Sequence, residues 1–146
     1  MVAELGHFIK GKSVSGTSGR LHDIFNPTTG EVQRTVALAT RAEVTKTVDA
    51  AQEAFYGWST TNPQKRARVM FKFKELVEKD MDNLAKLLSS EHGKILPDAR
   101  GDVIRGLDVI EFACGIPHLL KGEYTEAAGP GIDVYSMRQP LGVVSG

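Results

Sequence analysis

One cysteine, Cys114, is the only thiol in this sequence. It cannot form an internal disulfide, which fits a reducing compartment. No sign of charge prevails either. Eighteen basic residues balance eighteen acidic ones, so broad electrostatic attraction to nucleic acid or to an anionic membrane is not expected. No apolar run reaches the roughly 20 residues that span a bilayer. The first residues carry neither the charged and apolar regions of a signal peptide nor an Arg-rich transit segment, and the expected location is cytoplasmic. No G-x-G-x-x-G dinucleotide fingerprint occurs. The four histidines, His7, His22, His92 and His118, are scattered with no two at metal-ligand spacing, so no metal site is expected and surface or capping roles suit them best. Repeats and low-complexity tracts are missing as well.

What remains is ordinary globular composition, 41% hydrophobic and 25% charged, in a length that suits one domain or a piece of a larger one. His7 to Val14 reads as a tight β-hairpin around Gly11. Ser15 to Gly19 is a loop. Asp23-Ile24-Phe25 leads into the turn chemistry of Asn26-Pro27-Thr28-Thr29-Gly30, and Val32, Val36 and Leu38 suggest a strand. Three helices are predicted next. Thr40-Arg41-Ala42-Glu43 has capping-box spacing, with Val44, Val48, Ala51 and Phe55 at helical intervals and Gly57 as the stop. Asn62-Pro63 starts the second helix, whose stripe runs through Met70, Phe73, Val77, Met81, Leu84 and Leu88 to a Gly93 cap, with a kink or break at Asp80 to Asp82. Pro97 opens the third, with Val103, Ile104, Leu107 and Ile110 inward and Pro117 ending or bending it. After Gly129-Pro130-Gly131, residues Ile132 to Met137 alternate as a half-exposed strand that Pro140 closes. The apolar run Leu141 to Gly146 reads as the start of a buried strand. This order suggests a helical layer that needs a sheet supplied by further sequence.

Three features invite a chemical reading. Gly6 to Ser13 matches the phosphate-loop pattern G-x-x-x-x-G-K-[ST] literally, but that loop needs a buried strand before it and a helix after it, and the hairpin is favoured. Cys114 lies late in an apolar helix, away from the base or helix N-terminus that would activate it, and reads as a core residue. Arg105 stands among Val103, Ile104 and Leu107. It can be solvated, paired with Asp102 or Asp108, or placed to grip a carboxylate with its two-pronged guanidinium. The residues alone therefore lead to an intracellular α/β piece with a long helical layer.

Several stretches resemble, in order, the N-terminal half of aldehyde dehydrogenases: Phe8-Ile9-Lys10-Gly11-Lys12, Phe25 to Glu31, Ala54-Phe55 with Trp58, Glu91-His92-Gly93-Lys94, and Gln139-Pro140-Leu141-Gly142-Val143-Val144. Glu111 to Glu123 and Gly131 to Pro140 look most like the CoA-acylating methylmalonate-semialdehyde dehydrogenases. The resemblance implies an α/β chain, the N-terminal part of that fold: residues 1–126 belonging to the NAD-binding domain, 127–140 a strand of the bridging domain through which subunits associate, and 141–146 the start of the first dinucleotide-fold strand. For a complete protein it implies oxidation of methylmalonate or malonate semialdehyde with NAD and coenzyme A, in valine and inositol breakdown, by a homo-oligomer. The family's nucleophilic cysteine and its cofactor-binding residues match nothing here, so no catalytic or cofactor-binding residue is expected in this segment and it should be inactive by itself. The third helix borders the substrate tunnel in that fold, and the resemblance thus favours Arg105 as a substrate-carboxylate ligand. A non-catalytic interaction module or a truncated relic built on the same scaffold are the other readings.

Overall fold

The computed structural model describes residues 3–146. The expected hairpin is present as β2 (His7–Ile9) and β3 (Lys12–Val14), antiparallel with Phe8 opposite Ser13. Lys10 (φ 51°) and Gly11 (φ 76°) both take left-handed backbone angles, as a two-residue type I′ turn requires. Before it lies β1 (Ala3–Leu5), too short to show a period in sequence. β4 (Leu21–Phe25) and β5 (Val32–Ala37) flank the Asn26–Gly30 turn. There the Asn26 side chain accepts from the Thr28 N–H at 2.9 Å, and the Gly30 N–H donates to the Asn26 carbonyl at 2.8 Å. β5 is central in this sheet, antiparallel to β4 and parallel to β1.

Four helices follow rather than three. In α1 (Arg41–Thr60) the capping box forms as expected, but the helix runs through Gly57 and ends three residues later. An isolated glycine only weakens a helix; the stop is set instead by Asn62-Pro63, because the residue before a proline disfavours the helical region. The expected break at Asp80 is complete and divides the long stripe between α2 (Pro63–Lys79) and α3 (Met81–His92). Asp80 binds locally, its carboxylate accepting from the Asn83 amide at 2.7 Å, which gives the chain an alternative to a continuous helical ladder. α4 (Leu96–Cys114) ends before Pro117, which lies inside a single 3₁₀ turn over Ile116–Leu120.

α4 packs on both α2 and α3. The residues buried on these three helices are mostly small, Ala67, Ala85 and Ala99, joined by Leu107 and Cys114, and small side chains let helix axes approach closely. Val103 and Ile110 lie half-buried beside Leu107, but Ile104 faces outward. It is three residues from Leu107 on the opposite flank of Ala99 and Val103, so the inner stripe is narrower than expected. Val44, Val48 and Phe73 are also exposed; α1 buries no residue at all.

The final elements differ most from expectation. Ile132 begins a strand, β7 (Ile132–Tyr135), but it ends before Met137 and pairs with β6 (Tyr124–Gly129), which the sequence does not announce. Residues 141–146 form no strand, and Leu141 is 95% exposed. A lone extended segment has no ladder to join among the described residues, and its apolar side chains gain nothing by ordering alone. No helix of the described residues is long and apolar enough to cross a membrane.

Candidate functional site

The clearest cluster of charged side chains lies where α3 hands over to α4. Gly93 closes α3 with φ 84° and donates its N–H to the Ser89 carbonyl at 2.8 Å. The Ser89 hydroxyl reaches forward to the Lys94 carbonyl at 2.6 Å, fixing that residue's backbone. The Lys94 ammonium then turns onto α4. It pairs with Asp98 at 3.2 Å and donates to one oxygen of Asp102. The other oxygen of Asp102 accepts from Nη1 of Arg105. Asp98, Asp102 and Arg105 stand at i, i+4 and i+7, one face of the helix.

The cluster grades from half-buried to open. The Lys94 side chain is 18% exposed, Asp102 35% and Arg105 70%. Asp102 is held below its ordinary value chiefly by the hydrogen bond from Lys94, against its partial burial, with the charges of Arg105 and His92 adding. The Lys94 ammonium is pushed up by its bonds to Asp102 first and Asp98 second. Both shifts have one cause: the Asp102 carboxylate and the Lys94 ammonium each favour the charged form beside the other.

Of the two partners open to Arg105 by spacing, the structure chooses Asp102. Helical side chains lean toward the N-terminus of their helix, so a long cation reaches back one turn more easily than forward. The guanidinium has five N–H donors in a fixed fork, and Asp102 engages it through a single nitrogen. Arg105 lies two residues from buried Leu107, about half a turn round the helix, and shares its outward face with Val109 and Phe112, both exposed. A shallow recess lined by Asp108, Glu111, Phe112, Gly115 and Leu119 continues that face, so two carboxylates stand beside its apolar walls. Chemically this is a cation presented beside apolar surface, suited to a small molecule with one carboxylate and an apolar remainder.

The remaining polar clusters tie elements together. The Glu43 carboxylate accepts from the Thr40 N–H at 2.7 Å, the Thr40 hydroxyl at 2.9 Å and the Thr17 N–H at 2.8 Å. These bonds, the Thr40 backbone first, lower it to about 2. His7 Nε2 approaches the same carboxylate at 3.9 Å without a hydrogen bond. Arg34 pairs with Glu91 at 2.5 Å and straps β5 to α3.

Cys114 is buried in the helical core, as its position suggested. The Gly6–Ser13 pattern is not a phosphate cradle. A strand, β1, does precede it, contrary to expectation, but that strand is exposed and the chain enters β2 rather than a helix. No array of backbone N–H groups at a helix N-terminus forms there, so these residues fit neither the NAD nor the coenzyme A pyrophosphate. Sequence reading singled out Arg105 but missed Lys94 and Asp98 as its supports. The signal was available in the i, i+4 spacing of Lys94 and Asp98.

Against known proteins, the Aldehyde dehydrogenase family profile matches residues 14–146. A malonate-semialdehyde dehydrogenase of Pseudomonas aeruginosa is 47% identical over 142 residues, covering 97% of this chain and 28% of that protein. The mitochondrial, acylating methylmalonate-semialdehyde dehydrogenase of Arabidopsis thaliana is 44% identical over 146 residues, all of this chain and 24% of that one. Among solved structures, a Sinorhizobium meliloti 1021 protein assigned as a methylmalonate-semialdehyde dehydrogenase and crystallised with NAD superposes with a TM-score of 0.92 at 60% identity, covering 97% of this chain and 29% of that one. The chain thus spans 24–29% of the length of these proteins.

Proposed function

This chain belongs to the aldehyde dehydrogenase family, and we propose that it forms the N-terminal segment of a methylmalonate- or malonate-semialdehyde dehydrogenase. The complete protein would convert the semialdehyde, coenzyme A and NAD to acyl-CoA, NADH and carbon dioxide. The observation that carries this reading is the likeness to the Sinorhizobium protein, 60% identical with a TM-score of 0.92. The names of the Pseudomonas and Arabidopsis relatives support the semialdehyde as substrate class. Cytoplasmic residence and homo-oligomeric assembly belong to the same proposal. So does the division of the chain into a part of the NAD-binding domain and a bridging segment; that segment takes the whole β6–β7 hairpin, since a boundary at residue 126 would cut β6.

Within this reading Arg105 recognises the substrate's carboxylate. Malonate and methylmalonate semialdehydes carry that group and simple aldehydes do not. A guanidinium with free donors, set beside Val109 and Phe112, offers parallel N–H bonds to its two oxygens. No residue of this chain is assigned to the chemical steps, and the segment alone is expected to form no NADH. In the complete enzyme, Arg105→Leu is expected to lower kcat/KM for malonate semialdehyde by about ten- to hundredfold, the loss of one charge-assisted pair, and to leave propanal nearly untouched. Equal losses on both aldehydes would make Arg105 structural and refute its assignment.

A further inference from the structure

The one-sided grip of Asp102 on Arg105 has a functional counterpart. We infer that Asp102, held in place by Lys94, is a positioning residue that aims the Arg105 guanidinium at the substrate carboxylate, an inference that rests on the substrate role of Arg105 proposed above.

The geometry supplies each link. Arg105 is mostly exposed, and a long exposed side chain samples many rotamers that binding must freeze. Asp102 removes part of that freedom in advance by holding Nη1. It does so with one oxygen only, because its other oxygen is occupied by Lys94. The guanidinium is therefore tethered at one corner while its remaining donors stay available. Lys94 in turn cannot drift. Its carbonyl is held by the Ser89 hydroxyl at 2.6 Å, its ammonium is bridged between Asp98 and Asp102, and the preceding Gly93 is fixed as the α3 cap. The end of α3 is thereby coupled to the direction of a side chain one turn beyond Asp102 on α4.

Charge matters as much as direction. A free Asp102 carboxylate would compete with the substrate for Arg105. Two cations facing it, Lys94 and Arg105, with Asp98 beside Lys94, offset the carboxylates of this cluster; of the two carboxylates on the adjoining recess, Glu111 is paired with Lys74 at 3.5 Å and Asp108 lies one turn beyond Arg105.

The test is steady-state kinetics of the complete enzyme with malonate semialdehyde and propanal, for Asp102→Asn, Lys94→Met, Arg105→Leu, the double variant Asp102→Asn/Arg105→Leu, and Asp49→Asn, an exposed carboxylate on α1, as a control. Asp102→Asn and Lys94→Met are expected to raise KM for malonate semialdehyde about three- to tenfold, in the lower part of the range for residues coupled through contact, with kcat and the propanal parameters little changed. In the Arg105→Leu background, Asp102→Asn is expected to add nothing, and Asp49→Asn is expected to resemble the parent. A purely structural role would lower activity on both aldehydes and persist in the double variant. If Asp102→Asn lowered KM for malonate semialdehyde, Asp102 would be a competitor and the inference would fall while the role of Arg105 stood. Selective loss in Arg105→Leu with no effect of Asp102→Asn or Lys94→Met would overturn it in the same way. An Arg105→Leu enzyme without selectivity would overturn both. Should one of the single variants fail to fold, the other reads the same carboxylate from its opposite oxygen.

Discussion

Glu43 serves two parts of the chain at once. Its carboxylate closes the capping box with Thr40 and also receives the Thr17 N–H from the loop after β3. The first link was legible, because T-x-x-E before an apolar period is a local pattern. The second was not, since Thr17 lies 26 residues away in sequence and only folding brings it near. The lowered value, about 2 against 4.5, has a consequence with a definite sign. The native state prefers the ionised carboxylate, so its contribution is complete above pH 4.5 and is lost as pH falls toward about 2. Glu43→Gln keeps an acceptor but not the charge. The variant is expected to melt below the parent at neutral pH, with the difference closing through that acid window; thermal melts of both proteins across the window check it, and a gap that stays constant would assign the bonds no charge dependence. Arg105 teaches the complementary lesson. Its spacing to Asp102 and Asp108 is the same, and the choice between them came from side-chain direction and from Lys94, neither visible in a list of charges.

At the level of elements, the sequence was most informative where stops and starts are chemical. Asn62-Pro63, Gly93 and the Asn26–Gly30 turn all fall where expected. It was least informative where pairing decides. β6 is a run of Tyr-Thr-Glu-Ala-Ala-Gly with no alternation, and Ala127 within it has φ 51°. That irregularity is held by Asp133 of β7, which accepts from the Ala127 N–H at 2.9 Å and from the Tyr124 hydroxyl at 2.9 Å. A strand that owes its existence to a bulge and a partner cannot announce itself in its own residues. Gly93 gives the sharpest prediction at this scale. Its left-handed backbone penalises any side chain, and an added Cβ would lie 3.1 Å from Cγ of Pro27. Gly93→Ala is expected to destabilise the fold by about 1–2 kcal/mol, the cost of that conformation for an L-residue, seen as a fall in Tm. A neutral substitution would mean that the α3 end relaxes freely, which would also weaken the coupling of Lys94 to the α4 cluster.

Considered whole, the chain presents far more surface than its mass calls for. A folded monomer of 15.9 kDa is expected to expose about 7,400 Å², whereas this one exposes 11361 Å². The excess, about 4,000 Å² on this one chain, is more than one side of most obligate interfaces buries, since those bury about 2,000–5,000 Å² counted over both partners. Its composition agrees: Phe71, Phe73, Leu76, Phe112, Leu119 and Tyr135 are all exposed, while the buried set is mostly alanine with Leu107 and Cys114. The expectation of a helical layer in need of a sheet is consistent with which faces are open. Two kinds of surface are involved. The helices offer apolar stripes, and β6–β7 is a two-stranded ribbon with every residue of β7 exposed and, among the described residues, unpaired edges on both sides. Stripes of that kind associate through the hydrophobic effect, and open strand edges template further pairing. The 146-residue chain by itself is therefore expected to self-associate or aggregate, with association weakening as Phe71 and Phe73 are exchanged for polar residues. Sedimentation velocity at graded concentrations reads this directly. A compact monomer that stays soluble and unfolds cooperatively would show that the exposed faces are stable in water, and the account of them as contact surfaces would fail.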